Sequence, residues 1–159
     1  MHRKKMDNRR GFSLIELIIV IGIIGIMSTV AAYSWNGYLN NSNLKTAARE
    51  VMSDIASCKQ RSVSEGIQYC IQFTDGSPNY SINTSSCGAP TQTQAKNITS
   101  FGSGLTISNT NFNSDQVIFL SRGTLSSNLG TIVLTNNRNS TATITINITG
   151  RVYVSFSMR

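Results

Sequence analysis

The stretch RRGFSLIELIIVIGIIGIMSTVAA, Arg9 to Ala32, decides how the rest of the chain is read. Its 21 residues from Phe12 to Ala32 carry one charge, Glu16. As a helix rising about 1.5 Å per residue, they suffice to cross a hydrocarbon layer of about 30 Å. Arg3, Lys4, Lys5, Arg9 and Arg10 precede the run against a single acid, Asp7. Such an excess of cations holds an N-terminus in the cytoplasm and places the residues after the run on the far side of the membrane. A secretory signal peptide is one reading, because Val30-Ala31-Ala32 satisfies a small-residue cleavage rule. Against it, the run is longer than a signal core, and such cores do not normally hold a glutamate. A plain uncleaved anchor leaves Glu16 without a reason. A charged side chain mid-span costs roughly 2.5–3.5 kcal/mol on insertion scales, so an ionisable group there points to function.

The whole chain is basic, with a net charge of +7 over 159 residues, but most of that excess belongs to residues 1–11. The remainder balances nine basic against six acidic residues, so the charge is chiefly a topological signal and gives no general case for nucleic acid. Asn, Ser and Thr account for 54 residues, a composition suited to exposed β-structure and turns. Regularly spaced Ile, Val, Leu and Phe argue against disorder. The length allows one modest domain beyond the apolar segment.

After a polar break at Asn40-Asn41-Ser42-Asn43, Leu44, Ala48, Val51, Ile55, Cys58 and Ser62 recur at helical spacing. They predict an amphipathic helix over 44–65, stopped by Gly66. The period then changes to two: Ile67, Tyr69, Ile71 and Phe73 alternate with Gln68, Cys70 and Gln72. "TDGSPN" makes a turn before "YSINT", which predicts a hairpin. Ser85 to Lys96 reads as a loop. Further strands are expected around 105–107, 117–120, 131–135, 142–148 and 151–156. The fold class is α+β, a long N-terminal helix packed against an antiparallel β-sheet head. The expected organisation is a leader at 1–11, a transmembrane and filament-core helix at 12–39, and a head at 40–159 that is β-rich over 67–157.

The sequence RRGFSLIELIIVIGIIGIM resembles the N-terminus of type IV pilins and type II secretion pseudopilins. That resemblance implies that prepilin peptidase cuts between Gly11 and Phe12 and N-methylates Phe12, which puts Glu16 fifth in the processed chain. It further implies that Glu16 pairs with the new α-amine of a neighbouring subunit. A buried charge is tolerable when it is paired and hydrogen-bonded. The proline that the family often has about twenty residues into the processed chain is absent, so a kink there must come from Gly37 or from melting around Asn40–Asn43. A second, less specific resemblance covers FLSRGTLSSNLGTIVLTNNRNSTATITINITGRVYV. Arg122-Gly123, two strands and Gly150-Arg151-Val152 are similar to the C-terminal half of the GspH/FimT group of minor pilins and pseudopilins. Residues 83–114 match neither pattern.

Other chemistries fare poorly. The single histidine, His2, lies in the leader, so the processed chain has none for a triad or a usual zinc site. Gly102-Ser103-Gly104 lacks the strand and helix context of a nucleotide loop. No enzyme, metal or cofactor is expected. Outside the membrane one disulfide is expected among Cys58, Cys70 and Cys87. Cys70–Cys87 is favoured because it clips the hairpin base while Cys58 sits on the packed helix face; Cys58–Cys70 stays open.

The expected function is a minor pilin that helps initiate a type IV pilus, with a type II secretion pseudopilin as the alternative. The expected place is the bacterial inner membrane, single-pass, with cytoplasmic N-terminus and periplasmic head, and then the filament. Partners would be other pilin or pseudopilin subunits, prepilin peptidase and the inner-membrane assembly platform. A third reading is DNA binding in natural transformation. The resemblance offers Gly150-Arg151 for it, yet Tyr153 stands where the motif's second basic residue would be. Arg122, Arg138 and Arg159 could add charge, but isolated cations give little counterion release.

Overall fold

The computed structural model describes residues 12–126 and 129–159, and only the backbone of 30–34. The chain divides into two compact units, Met1–Asn36 and Gly37–Arg159. One helix, α1, is assigned from Leu14 to Glu65. The polar break therefore remains helical, where melting at Asn40–Asn43 was one expectation. Gly66 follows at φ 67°, the left-handed conformation that ends a helix and that glycine adopts without a Cβ clash.

Within the second unit the head is built on one face of α1. Leu44, Ala48, Val51, Ile55, Cys58 and Ser62 are buried there, three or four residues apart, with Ala47 beside them. Among the described residues eight antiparallel strands complete it: β1 Tyr69–Phe73, β2 Asn79–Thr84, β3 Thr93–Asn97, β4 Thr106–Thr110, β5 Gln116–Phe119, β6 Gly130–Thr135, β7 Thr141–Ile146 and β8 Val152–Ser157. They form two four-stranded sheets, ordered β3-β2-β1-β5 and β4-β6-β7-β8. Strand spacing along the chain suggested one sheet and did not separate these two. Apolar residues from both sheets share one core with α1, including Tyr69, Ile71, Phe73, Val117 and Phe119 from the first and Ile132, Leu134, Ile144 and Ile146 from the second.

Strand β3 begins inside the stretch read as a loop and runs one residue past it, to Asn97. Its sequence, TQAKN, has no apolar alternation and is largely exposed, so nothing in the pattern announces it. It forms because β2 offers a ladder from Asn79–Asn97 to Asn83–Thr93. The loop before it is closed by its own polar groups: the Thr84 N–H donates to the Gln92 carbonyl at 3.0 Å, and the Thr91 N–H to the Thr84 carbonyl at 3.1 Å. In β1 the expected alternation is broken at Cys70, which is as buried as Tyr69 and Ile71. Both faces of this strand are covered, one by the core and one by the disulfide described below.

Candidate functional site

In the first unit the chemistry sits at the start of α1. The Ser13 carbonyl accepts from the N–H of Glu16 at 3.1 Å and of Leu17 at 3.2 Å, so Ser13 opens the helix. Glu16 lies in the first turn, where the helix dipole favours an acid. Around it the apolar side chains are exposed on every face, from Phe12, 80% accessible, through Leu14, Ile15, Ile18 and Ile19 to Met27. A continuous apolar surface of this extent marks a membrane or protein contact. Each such side chain removed from water is worth roughly 1.5–3 kcal/mol, so several together outweigh the cost of burying one carboxylate. Two hydroxyls of the run are satisfied inside the helix, Ser28 donating to the Ile24 carbonyl and Thr29 to the Ile26 carbonyl, each at 2.7 Å. Gly11, the leader and His2 lie outside the described residues. Among the described residues no helix is long and apolar enough to cross a membrane.

In the second unit the asparagines at the polar break hold α1 to the second sheet. Asn136, buried in the β6–β7 turn, donates through Nδ2 to the Asn40 carbonyl at 3.2 Å and to Asn41 Oδ1 at 3.1 Å. Its Oδ1 accepts from the N–H of Arg138 at 3.0 Å and of Ser140 at 3.1 Å. Ser140 Oγ donates to Asn41 Oδ1 at 2.8 Å, and Asn41 Nδ2 donates to the Arg159 carbonyl at 3.2 Å. This clamp was not anticipated. The only signal for it was a run of asparagines inside a helix, where they are poor formers unless their side chains find partners.

Cys70 and Cys87 are joined by a disulfide, with Cα atoms 5.5 Å apart. It ties β1 to the loop that leads into β3. Cys58 is a free, buried thiol on α1. Burial, and secondly the nearby Asp54 carboxylate, pushes its pKa up to about 12, so it is a protonated core residue at neutral pH. Two polar ties flank it. The Tyr80 hydroxyl donates to Asp54, whose other oxygen meets Lys96 Nζ at 3.3 Å. The Tyr69 hydroxyl donates to Glu65 at 2.6 Å and Arg61 donates to the same carboxylate at 2.9 Å; together they hold the Glu65 carboxyl below its usual range. Among the described residues no buried side-chain polar atom lacks a partner, and no cluster of His, Cys, Asp and Glu could hold a metal.

Arg151 follows a tight turn in which Gly150 has φ 69°. The Arg151 N–H donates to Asn147 Oδ1 at 2.8 Å. A Cβ at Gly150 would stand 3.0 Å from the Gly123 carbonyl and 2.9 Å from Lys59, so the turns bearing Arg122 and Arg151 touch over Lys59. The Lys59 amine is held by the Thr149 carbonyl at 2.8 Å. Arg138 and Arg159 belong to the Asn136 clamp instead. The length of β8, about 20 Å, separates Arg159 from Arg151.

An apolar helical start with an acid in its first turn, followed by a helix-plus-sheet head, defines the class of pilin-like subunits. The prokaryotic N-terminal methylation motif matches residues 6–32, and the family described as type II transport protein GspH matches residues 47–150. The chain belongs to the GspH family. Its fold is that of the type IV minor pilin FimU of Pseudomonas aeruginosa: TM-score 0.58, 20% identity, 74% of this chain and 92% of that one covered. It is equally that of the minor pseudopilin EpsH from the type 2 secretion system of Vibrio cholerae: TM-score 0.57, 10% identity, 72% and 97% covered. Membership of the GspH family makes the protein a pilin-like structural subunit, not an enzyme. In sequence it is 49% identical over 39 residues to prepilin peptidase-dependent protein D of Escherichia coli, and 31% identical over 77 residues to a fimbrial protein of P. aeruginosa. Those alignments cover 24% and 48% of this chain and span 27% and 49% of the relatives' lengths.

Proposed function

We propose that the protein is a minor pilin that helps initiate assembly of a type IV pilus. The observation that carries this reading is the pairing of a compact head, whose buried side-chain polar atoms all have partners among the described residues, with an apolar helical start exposed on all sides and bearing Glu16. In this reading prepilin peptidase cuts between Gly11 and Phe12 and methylates Phe12. The apolar helix holds the precursor in the inner membrane with the head in the periplasm. The assembly platform then moves the subunit into the filament, where Glu16 meets the α-amine of a neighbouring subunit's first residue.

A type II secretion pseudopilin is the second reading, favoured by the GspH family match and by a likeness to EpsH as good as that to FimU. DNA capture through Arg151 draws on Arg151 and Arg122, since Arg138 and Arg159 lie at the far end of β8, and such a sparse patch gives weak binding. Shearing filaments from cells and assaying them for this chain tests the choice. Recovery with surface pili, and fewer pili when the gene is deleted, is the expected result. Retention in the envelope, with loss of protein secretion on deletion, would move the assignment to the pseudopilus.

A further inference from the structure

The two sheets have four outer strands, and an outer strand left open is a template for another chain. Three of the four are managed. On β5, the Ser126 N–H donates to the Ile118 carbonyl at 2.9 Å and Phe119 bridges Leu125. On β4, the Gly76 N–H donates to the Ile107 carbonyl at 2.8 Å, Ile107 donates to the Ser77 carbonyl at 3.0 Å, and the register shifts between Ile107 and Asn109. β3 is short and polar and carries Lys96. β8 has none of these devices. It runs VYVSFS without a charge, a proline or a bulge, in unbroken register with β7.

The free groups of β8 can be assigned. The Asn147 N–H donates to the Arg151 carbonyl at 3.0 Å. Hydrogen-bonded pairs alternate along an antiparallel ladder, so Tyr153, Ser155 and Ser157 direct their backbone groups to β7. Val152, Val154 and Phe156 then turn their N–H and C=O groups outward. Among the described residues no hydrogen bond reaches those six groups. Beside this strand lies a groove of about 470 Å³ lined by Val152 and, from α1, by Arg49, Met52, Ala56 and Lys59. Its charged residues are both cations. Arg151 precedes the strand and Arg159 lies beyond its end.

We propose that β8 accepts one added strand: an extended segment of another protein that carries carboxylates toward Arg49 and Lys59. The backbone of such a segment supplies both donors and acceptors at the alternation β8 presents, which is strand addition to a sheet edge. Nucleic acid can neutralise the cations, but its phosphates only accept, and the outward carbonyls of β8 would stay unpaired. A second copy of this chain is disfavoured by charge, because residues 37–159 hold nine basic and five acidic residues and edge-to-edge pairing would bring two basic grooves together. The inference is independent of whether the filament is a pilus or a pseudopilus.

The test is amide hydrogen exchange on the full chain in detergent micelles, with a synthetic peptide of alternating threonine and valine, about eight residues long, flanked by glutamates. The expected result is exchange slowed about tenfold or more at Val152, Val154 and Phe156. Val154→Pro should abolish this protection with the melting temperature little changed, because it deletes an outward N–H and no bond to β7. If that variant fails to fold, Arg49→Glu, at an exposed position of α1, serves instead and should weaken the peptide about tenfold or more. Equal protection by a lysine-flanked peptide, protection by duplex DNA, protection that grows with protein concentration alone, or none at all would each overturn the proposal.

Discussion

Glu16→Ala is expected to leave the head folded and the precursor anchored while nearly removing the chain from filaments. The substitution lies in the unit Met1–Asn36, whereas the buried core is built from residues 44 onward. It also makes the run from Phe12 to Ala32 wholly uncharged, so membrane anchoring can only gain. The loss falls on assembly. If Glu16 faces a neighbour's α-amine inside the filament, removing the carboxylate strands a cation in an apolar core. Breaking a buried pair in this way costs about 3–5 kcal/mol, or roughly two to four orders of magnitude in incorporation. Glu16→Gln keeps the shape and loses the charge, so it should behave like the alanine variant. Quantifying the chain in membrane and filament fractions checks both, and undiminished incorporation of either variant would remove Glu16 from the assembly account.

The second large effect is on the head. Opening the Cys70–Cys87 bond, by reduction or by Cys70→Ala with Cys87→Ala, is expected to cost about 3 kcal/mol, since its partners are 17 residues apart and the link removes that much chain entropy from the unfolded state. For a head of this size the melting temperature should fall by roughly 10 °C. The structural reason is β3, an exposed polar strand with little burial of its own, reached through a loop that Cys87 pins to β1. Cys58 should not reshuffle with the pair at neutral pH, because its thiol is protonated up to about pH 12. Calorimetry with and without reductant measures the shift, which the double variant should no longer show. A reductant-induced change of less than about 2 °C would mean the bond adds little to the head.

Some of this architecture was legible in the residues and some was not, for physical reasons. The buried face of α1 could be read from Leu44 to Ser62 because one helix face repeats at a fixed spacing. β6 and β7 could be read because burial on one side imposes alternation. β3 could not, since its ladder to β2 leaves TQAKN without a buried face and hence without a pattern. The two-sheet arrangement is also a matter of pairing partners, which local sequence does not encode. Asn40 to Asn43 misled in a more instructive way: polar residues in a helix suggested a break, but Asn41 and the Asn40 carbonyl close a network with Asn136 and Ser140. At the N-terminus the reverse holds. Glu16 and its apolar surroundings are conspicuous in sequence, while their role depends on subunits outside a single chain.

The central claim is that the partner of Glu16 comes into being only when the leader is removed. Mass spectrometry of the N-terminal peptide, on protein recovered from cells, tests it most directly. The account predicts a chain that begins at Phe12 with one methyl group on its α-nitrogen. A chain that retains the residues through Gly11, or one that begins after Ala32, would contradict it.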